Sequence, residues 1–465
     1  MTLLERAVPT NDSQADPPRP SAMVAAALAR IADLEPAIQA FTAIDAEGAL
    51  AAAGRLEERP VHSRRRPLLG WPVGVKDLLD AKGFPASYGS PLYADHHPQH
   101  DATVVRRLRR AGAVIVGKTV TTEFGAFDPP PTRNPWDLAC TPGGSSSGSA
   151  AAVASEMVRA AIGTQTAGST LRPASYCGVV GFMPSPGWIG RTGSFTCSWS
   201  LDRIGLMAGS VGDVGALLEG AVGFDRADPM SVRRPSGRLE PRERVSGVRI
   251  GFFDRLTAAA SAPMQAAVRD AAAALTDVGA DVRPLDAPPA FDAGHAAHLV
   301  VMHAEMAAAH EQLYSQHAAA YGPRIGSIVE SGLRVRAADY LRAHRLRREY
   351  RQQMADLFRN VDALLAPAAV SSAERDLSTI GDPFMNVPAT FAGLPAITLP
   401  AAVNTDGLPL GIQLIGARDE DWGLLALAQW VERLVGFDRS ELDGRLARIR
   451  EQRERPEALT TSAAP

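Results

Sequence analysis

The sequence predicts an α/β fold, a single large domain with a central mixed β-sheet flanked by helices, on three observations. Short apolar runs rich in β-branched residues alternate with amphipathic helical stretches along the chain, as expected where strands and helices interleave. No internal repeat and no convincing linker divides the 465 residues, a length that one large α/β unit can occupy. Three late runs, DALLAP, LPAITLPAAV and LPLGIQLIG, read as strands that complete a central sheet.

Taken in order, residues 1–22 are polar and proline-rich and read as a flexible lead. The main domain spans 23–440, and 441–465 reads as a helix end followed by a disordered tail. From Ser21 to about Glu58 the apolar residues fall at helical spacing, which Pro60 and the RRRP stretch near 64–67 end. LLGWPVGVKD is strand-like and delivers Lys76 at its end; a helix (DATVVRRLRRAG) and a buried strand (AVIVG) follow. Residues 128–148 form a loop rich in Pro, Gly and Ser, which runs into a small-residue helix, SAAAVASEMVRAA, and a strand ending near Thr164. VRIGFF (248–253) reads as a strand, 263–278 as a helix, ADVRPLD as a strand and 295–360 as helices.

Hydrophobic residues make up 46% of the chain and charged residues 21%, the balance of a globular protein with a substantial core. A net charge of −3 gives no reason to expect a nucleic-acid or acidic-membrane partner. The three cysteines, Cys140, Cys177 and Cys197, show no CxxC spacing and cannot all pair within one chain, so a reducing, cytoplasmic setting is expected and all three read as structural. The first twenty residues lack an apolar signal core, and no run approaches the roughly 18 apolar residues of a membrane span. Twofold assembly is the default expectation for oligomeric state.

Three segments carry candidate chemistry. PGGSSSGSAAAVA (142–154) crowds three serine hydroxyls into a glycine-rich turn. GTQTAGSTLRPAS, from Gly163, puts Ser169 after small residues whose N–H groups could converge on an oxyanion. GWPVGVKDLLDAKG holds Lys76 between valines and leucines. A serine hydroxyl attacks only when a neighbour takes its proton. A lysine can do so only when neutral, which burial favours by lowering its pKa from about 10.4. A hydroxyl of the serine-rich loop can relay the proton where Lys76 and Ser169 are too far apart.

These segments resemble the amidase signature family, whose members hydrolyse amides through a lysine, a serine with a cis peptide bond, and a nucleophilic serine. Gly143, Gly144, Ser145, Ser146, Ser147 and Gly148 match its glycine-serine motif, and Ser169 follows Ser145 by the family's 24 positions. The resemblance implies Lys76 as base, Ser145 as relay and Ser169 as nucleophile. It also implies an oxyanion hole from the N–H groups of Thr166, Ala167, Gly168 and Ser169, and no cofactor. VVRRLRRAGAVIVGKTVTTEF (104–124), SLDRIGLMAGSV (200–211), LPAITLP (394–400) and GLPLGIQLIG (407–416) extend it from about residue 23 to about 435.

The chain departs from the family pattern at three places. Gln165 and Leu171 stand where the family has an Asp and an Arg, with Arg172 one place later, and Met183 stands where it often has a lysine. Loss of one member of a buried ion pair favours loss of the other. The arrangement is similar to a subgroup of malonamidases and biuret-hydrolysing enzymes acting on small polar amides. The expected substrate is therefore a small, polar or acidic amide, with Arg172 gripping its carboxylate or carbonyl. The opposing reading of Arg172 is a structural pair with an acidic side chain.

Competing readings are weaker. GSSSG (144–148) also fits the nucleophile elbow of α/β-hydrolases, but that elbow needs a strand before it, and RNPWDLACTP is proline-broken. His295, His298, His303, Glu305 and His310 lack a ligand motif, so no metal is expected. The arginines of 333–351 read as a solvated helix face. Two rivals remain: the glutaminase-type A subunit of a tRNA-dependent amidotransferase, and an inactive binding or scaffold protein on the same fold.

Overall fold

Apolar runs of four to eight residues become the strands: β1 (Phe41–Ile44), β2 (Pro72–Lys76), β3 (Val114–Thr119), β4 (Ala160–Gln165), β5 (Val180–Met183), β6 (Arg203–Ala208), β7 (Arg249–Phe253), β8 (Asp281–Leu285), β9 (Ala363–Pro367), β10 (Ala396–Val403) and β11 (Pro409–Gly416). The computed structural model describes residues 18–58, 66–234, 237–240, 242 and 247–454. Within it these strands form one eleven-stranded sheet in the order β1-β3-β2-β4-β6-β5-β10-β11-β9-β7-β8. The pairs β3/β2, β2/β4, β9/β7 and β7/β8 are parallel and the others antiparallel. This is the single-domain mixed sheet that the alternation predicts.

Helices cover both faces. They are α1 (Pro20–Ile38), α2 (Ala46–Glu57), α3 (Thr103–Arg110), α4 (Ser147–Ala154), α5 (Leu171–Cys177), α6 (Val211–Ala221), α7 (Asp254–Ala258) and α8 (Ala262–Asp277). The second half adds α9 (Phe291–His317), α10 (Pro323–Leu333), α11 (Ala337–Leu357), α12 (Val387–Ala392), α13 (Asp421–Val435) and α14 (Ser440–Glu454). Alternate strand side chains feed two cores. Val73, Val75, Ile115, Ile162, Leu206 and Ile412 pack under α6, α8 and α13. Val116, Ala161, Met207 and Leu364 pack under α1, α4, α5, α9 and α12. Among the described residues no helix is long and apolar enough to cross a membrane.

The structure differs from the sequence reading at several elements. The helical stretch from Ser21 to Glu58 is two helices separated by β1. Gln39 takes a left-handed conformation (φ 55), and the Glu35 carboxylate accepts the N–H groups of Ala40 and Phe41 at 3.0 and 2.9 Å, drawing the chain out of the helix. Asp45 then caps α2 by accepting from Gly48 N–H. The alanine-rich run after the serine loop is helix only to Ala154; Ala160 and Ala161 already pair with Val73 and Gly74 as β4. Helix α1 starts at Pro20, inside the stretch read as a flexible lead. The rest of that lead (residues 1–17) and the tail from 455 lie outside the described residues.

The arginines of α11 are not all on a solvated face. Arg347 is buried, and its Nε donates to Phe391 O at 3.0 Å, while Arg351 donates to Ala392 O at 3.1 Å. Arg203 donates to Thr390 O and Leu394 O at 2.8 and 2.9 Å. Three cations thus satisfy the carbonyls at the C-terminal end of α12, where the helix dipole is negative.

At the other end of the sheet, Lys118 on β3 meets Asp77, just past β2, at 2.6 Å, both fully enclosed. The carboxylate also accepts Ser87 N–H and Oγ, and Lys118 Nζ donates to Pro85 O. This buried pair fixes the chain immediately after Lys76. Lys118→Met leaves the carboxylate enclosed without its cation and is expected to cost about 3–5 kcal/mol. Urea denaturation measures it, and a loss under about 1 kcal/mol would contradict the pair's role.

Candidate active site

Parallel neighbours β2 and β4, with Val75 opposite Ile162, leave the sheet side by side at their C-terminal ends. Lys76 is the last residue of β2, and Ser169 follows the end of β4 by four residues. The serine-rich loop crosses between them and enters α4 at Ser147. No strand precedes it, which removes the nucleophile-elbow reading of 144–148.

Lys76 is wholly buried, and its Nζ donates to Ser145 Oγ at 2.7 Å and to Thr164 Oγ1 at 2.8 Å. No carboxylate bonds it. Burial pushes its pKa down to about 7, against the weaker attraction of the Asp202 carboxylate nearby. Near neutrality a large fraction is therefore the free amine that proton abstraction requires.

Ser145 follows a cis peptide bond after Gly144, and its neighbours hold it from several sides. Thr122 N–H donates to Ser145 O at 3.3 Å, and Arg172 Nη2 donates to Gly144 O at 2.6 Å. Ser147 Oγ donates to Gly143 O at 2.6 Å, and Ser146 Oγ accepts Thr164 N–H at 3.3 Å. Of the three adjacent hydroxyls, Ser145 meets the lysine and the other two fasten the loop.

Ser169 is 9% exposed. Its carbonyl accepts Ser146 N–H at 3.3 Å, which stitches the loop after β4 to the serine-rich loop. The structure thus joins Lys76 to Ser145 directly and brings Ser169 alongside through the backbone. Ser169 Oγ itself makes no hydrogen bond among the described residues, a common state for a nucleophile without substrate.

Residues 166–169 are oriented by their carbonyls. Thr166 O accepts His298 Nε2 at 3.0 Å, Ala167 O accepts Thr390 Oγ1 at 2.7 Å, and Gly168 O accepts Arg172 N–H at 3.0 Å. Their N–H groups take no acceptor among the described residues, whereas the next two, Thr170 and Leu171, both donate to Gln165 Oε1 at 2.9 and 3.0 Å. Four donors are left for a ligand in the loop that ends on the nucleophile, as an oxyanion hole requires. Gly168 is needed there, because a Cβ would come within 2.5 Å of Asn386 Oδ1 and 3.1 Å of Pro383.

The structure revises two readings of the departures from the family pattern. Gln165 does not face a partner side chain at Leu171, since it bonds the Leu171 backbone. Its amide instead reaches Met183 Sδ at 2.8 Å and Thr390 Oγ1 at 3.0 Å. Two of the three departures, Gln165 and Met183, are thus in contact as a neutral pair. Arg172 is 1% exposed and has no acidic partner; Nε donates to Ile380 O at 2.8 Å and Nη2 to Gly144 O, leaving Nη1 uncommitted beside Gly168.

Sequence reading passed over Thr164, His298, Thr390 and Asp202 as parts of the site. Thr164 alone had a local signal, a hydroxyl five residues before the nucleophile on the same strand end. The histidines considered for a metal are spread over separate contacts: His298 with Thr166, His303 with Ser331, His310 with Tyr321 and His295 with Phe384. The cysteines are buried, which pushes the Cys140 thiol up to about 11 and the other two higher still, against a nucleophilic role.

The amidase family profile matches residues 22–425. Among curated relatives, the A subunit of glutamyl-tRNA(Gln) amidotransferase from Roseiflexus sp. (strain RS-1) is 33% identical, over 89% of this chain and 92% of its own length. Its counterpart from Anaeromyxobacter sp. (strain K) is 35% identical, over 90% and 93%. Among solved structures, a chain of a vestigial protein complex that reveals the evolutionary origins of an s-triazine catabolic enzyme superposes with a TM-score of 0.83 at 31% identity, covering 91% of this chain and 96% of that one. The peptide amidase of Stenotrophomonas maltophilia gives 0.79 at 29% identity, over 91% and 95%. These relatives support the family and not the narrower malonamidase and biuret-hydrolase group. The chain belongs to the amidase signature family, enzymes that hydrolyse C–N amide bonds.

Proposed function

We propose that the protein hydrolyses a carboxylic amide through an acyl-enzyme on Ser169. The observation that carries this reading is the enclosed Lys76 amine, donating to the hydroxyl of Ser145 at 2.7 Å with no carboxylate to keep it charged. As Ser169 Oγ attacks the carbonyl, its proton passes to Ser145, whose own proton passes to neutral Lys76. The N–H groups of 166–169 hold the oxyanion. Collapse of the tetrahedral intermediate breaks the C–N bond, and the proton returns through Ser145 to the leaving amine. Water, deprotonated along the same path, then releases the acid and restores Ser169.

Two substrate readings remain, each with its own support. The curated relatives are named as glutamyl-tRNA(Gln) amidotransferase A subunits, which favours an ammonia-releasing glutaminase working with partner subunits. The neutral Gln165–Met183 pair and Arg172 beside the nucleophile loop favour a small free amide, with Arg172 Nη1 as the contact for its carboxylate or carbonyl. A homodimer belongs to this second reading and a hetero-assembly to the first.

Ammonia release from malonamate, neutral amides and glutamine, by wild type and Ser169→Ala, separates them. Turnover of acidic amides, lost in Ser169→Ala and lowered in Arg172→Met, supports the small-amide reading. Glutamine turnover that emerges only with partner subunits supports the amidotransferase reading, and turnover undiminished in Ser169→Ala would contradict both. Gly168→Ala is expected to lower kcat about 10²–10³-fold, the loss typical of one oxyanion donor. Retention of more than half the wild-type kcat would contradict the need for this loop's close packing on Asn386 in the reaction.

A further inference from the structure

Asp202 sits where the nucleophile loop, the lysine's second partner and a surface cleft come together. Its Oδ1 accepts Thr166 Oγ1 at 2.6 Å, and its Oδ2 accepts the N–H groups of Cys197 and Ser198 at 2.8 and 2.9 Å. It lines a cleft of about 330 Å³ with Arg191, Ser194, Trp199 and Asp228. On its inner side it shares a hollow of about 10 Å³ with Thr164 and Cys197, about the room that one water needs. Thr164 is the second acceptor of Lys76 Nζ. One carboxylate therefore holds the first residue of the oxyanion loop and adjoins the hydroxyl that holds the buried base.

Asp202 is the carboxylate whose charge acts on Lys76. Arg191 commits two nitrogens to Asp228 at 3.2 and 3.1 Å and its third to the carbonyls of Trp199 and Asp202. Arg203, the next residue, spends its guanidinium on carbonyls of the α12 end. Thr166 from the β4 loop and the buried thiol of Cys197 are neutral, and Lys76 on β2 is the remaining cation.

We propose that Asp202 is a positioning residue for amide hydrolysis at Ser169, its carboxylate fixing the oxyanion loop through Thr166 and adjoining the Thr164 hydroxyl that holds Lys76. The proposal rests on the reading of Ser169 as nucleophile. Burial raises the Asp202 pKa to about 6, against its hydrogen-bond donors and Arg191, so it is mostly ionised at about pH 7, where Lys76 loses its proton. A negative neighbour favours the ammonium form. Its removal lowers the lysine pKa and lets the free amine form at lower pH.

The test is the pH dependence of Ser169 modification by a fluorophosphonate, read by mass spectrometry in the full-length wild type, Asp202→Asn and Thr166→Val. This readout needs an activated serine and no particular amide. Wild-type labelling is expected to rise through about pH 7, because it follows the free amine of Lys76. In Asp202→Asn the rate falls about tenfold or more, and the rising limb moves down by about half a pH unit or more. In Thr166→Val, which removes the hydroxyl contact and leaves the carboxylate in place, the rate falls. No labelling of wild-type Ser169 would defeat the nucleophile reading itself. Labelling with an unmoved limb in Asp202→Asn, or an undiminished rate in Thr166→Val, would overturn the role of Asp202; if Asp202→Asn fails to fold, Thr166→Val decides.

Discussion

The site depends on a lysine enclosed by protein and hydrogen-bonded, among the described residues, to hydroxyls and to no carboxylate. The chain has three lysines, Lys76, Lys82 and Lys118, and two of them are buried on adjacent strands with opposite treatments. Lys118 is paired with Asp77 and takes part in structure. Lys76 has only two hydroxyls, so desolvation acts on it with little compensation and favours the neutral amine. Because Asp77 follows Lys76 directly in sequence, the ion pair beside it anchors the strand end while its charge is taken up by Lys118. The same buried neighbourhood thus stabilises one ammonium and disfavours the other.

A base of this kind is useful only if the nucleophile loop is rigid, and the packing around that loop is directed at its carbonyls. His298 from α9 and Thr390 from α12 hold two of them, and the backbone N–H groups of Arg172 and Ser146 hold the other two. Helix α12, which has only six residues, is in turn held by Arg203, Arg347 and Arg351 at its C-terminal end. Burying two of these guanidiniums and half-burying the third against carbonyls is costly in desolvation. Here it lets a helix too short to be stable alone present Thr390 to the loop. Arg172 works in the same direction, tying the peptide before Ser145 to the helix after Ser169.

The fold class was legible because strand runs and helical periodicity alternate in sequence. The lysine and both serines were legible because their chemistry sits in contiguous glycine-rich motifs that resemble one family. What escaped reading is held together by tertiary contacts. Thr390 meets Ala167 across 223 positions and His298 meets Thr166 across 132, distances over which local pattern carries no signal. Strands β5 and β6 are buried along their whole length, so no alternation of apolar and polar residues marks them. β1 was absorbed into a helical reading because the alanines on either side keep a helical period and the break depends on the Glu35 side chain. Gln165 and Met183 each looked like an isolated departure until the structure put them in contact.

The central claim is that Lys76 loses its proton near pH 7 inside the folded protein, so that about half of it is the free amine there. Lysine-selective ¹⁵N labelling gives three Nζ signals, of which Lys82 is exposed and Lys118 is ion-paired, so Lys76 can be followed by titration in the intact protein. The account predicts a transition centred at about 7, assigned by its loss in Lys76→Met. A Lys76 signal that stays in the ammonium position beyond pH 9, near the ordinary lysine value of about 10.4, would contradict it.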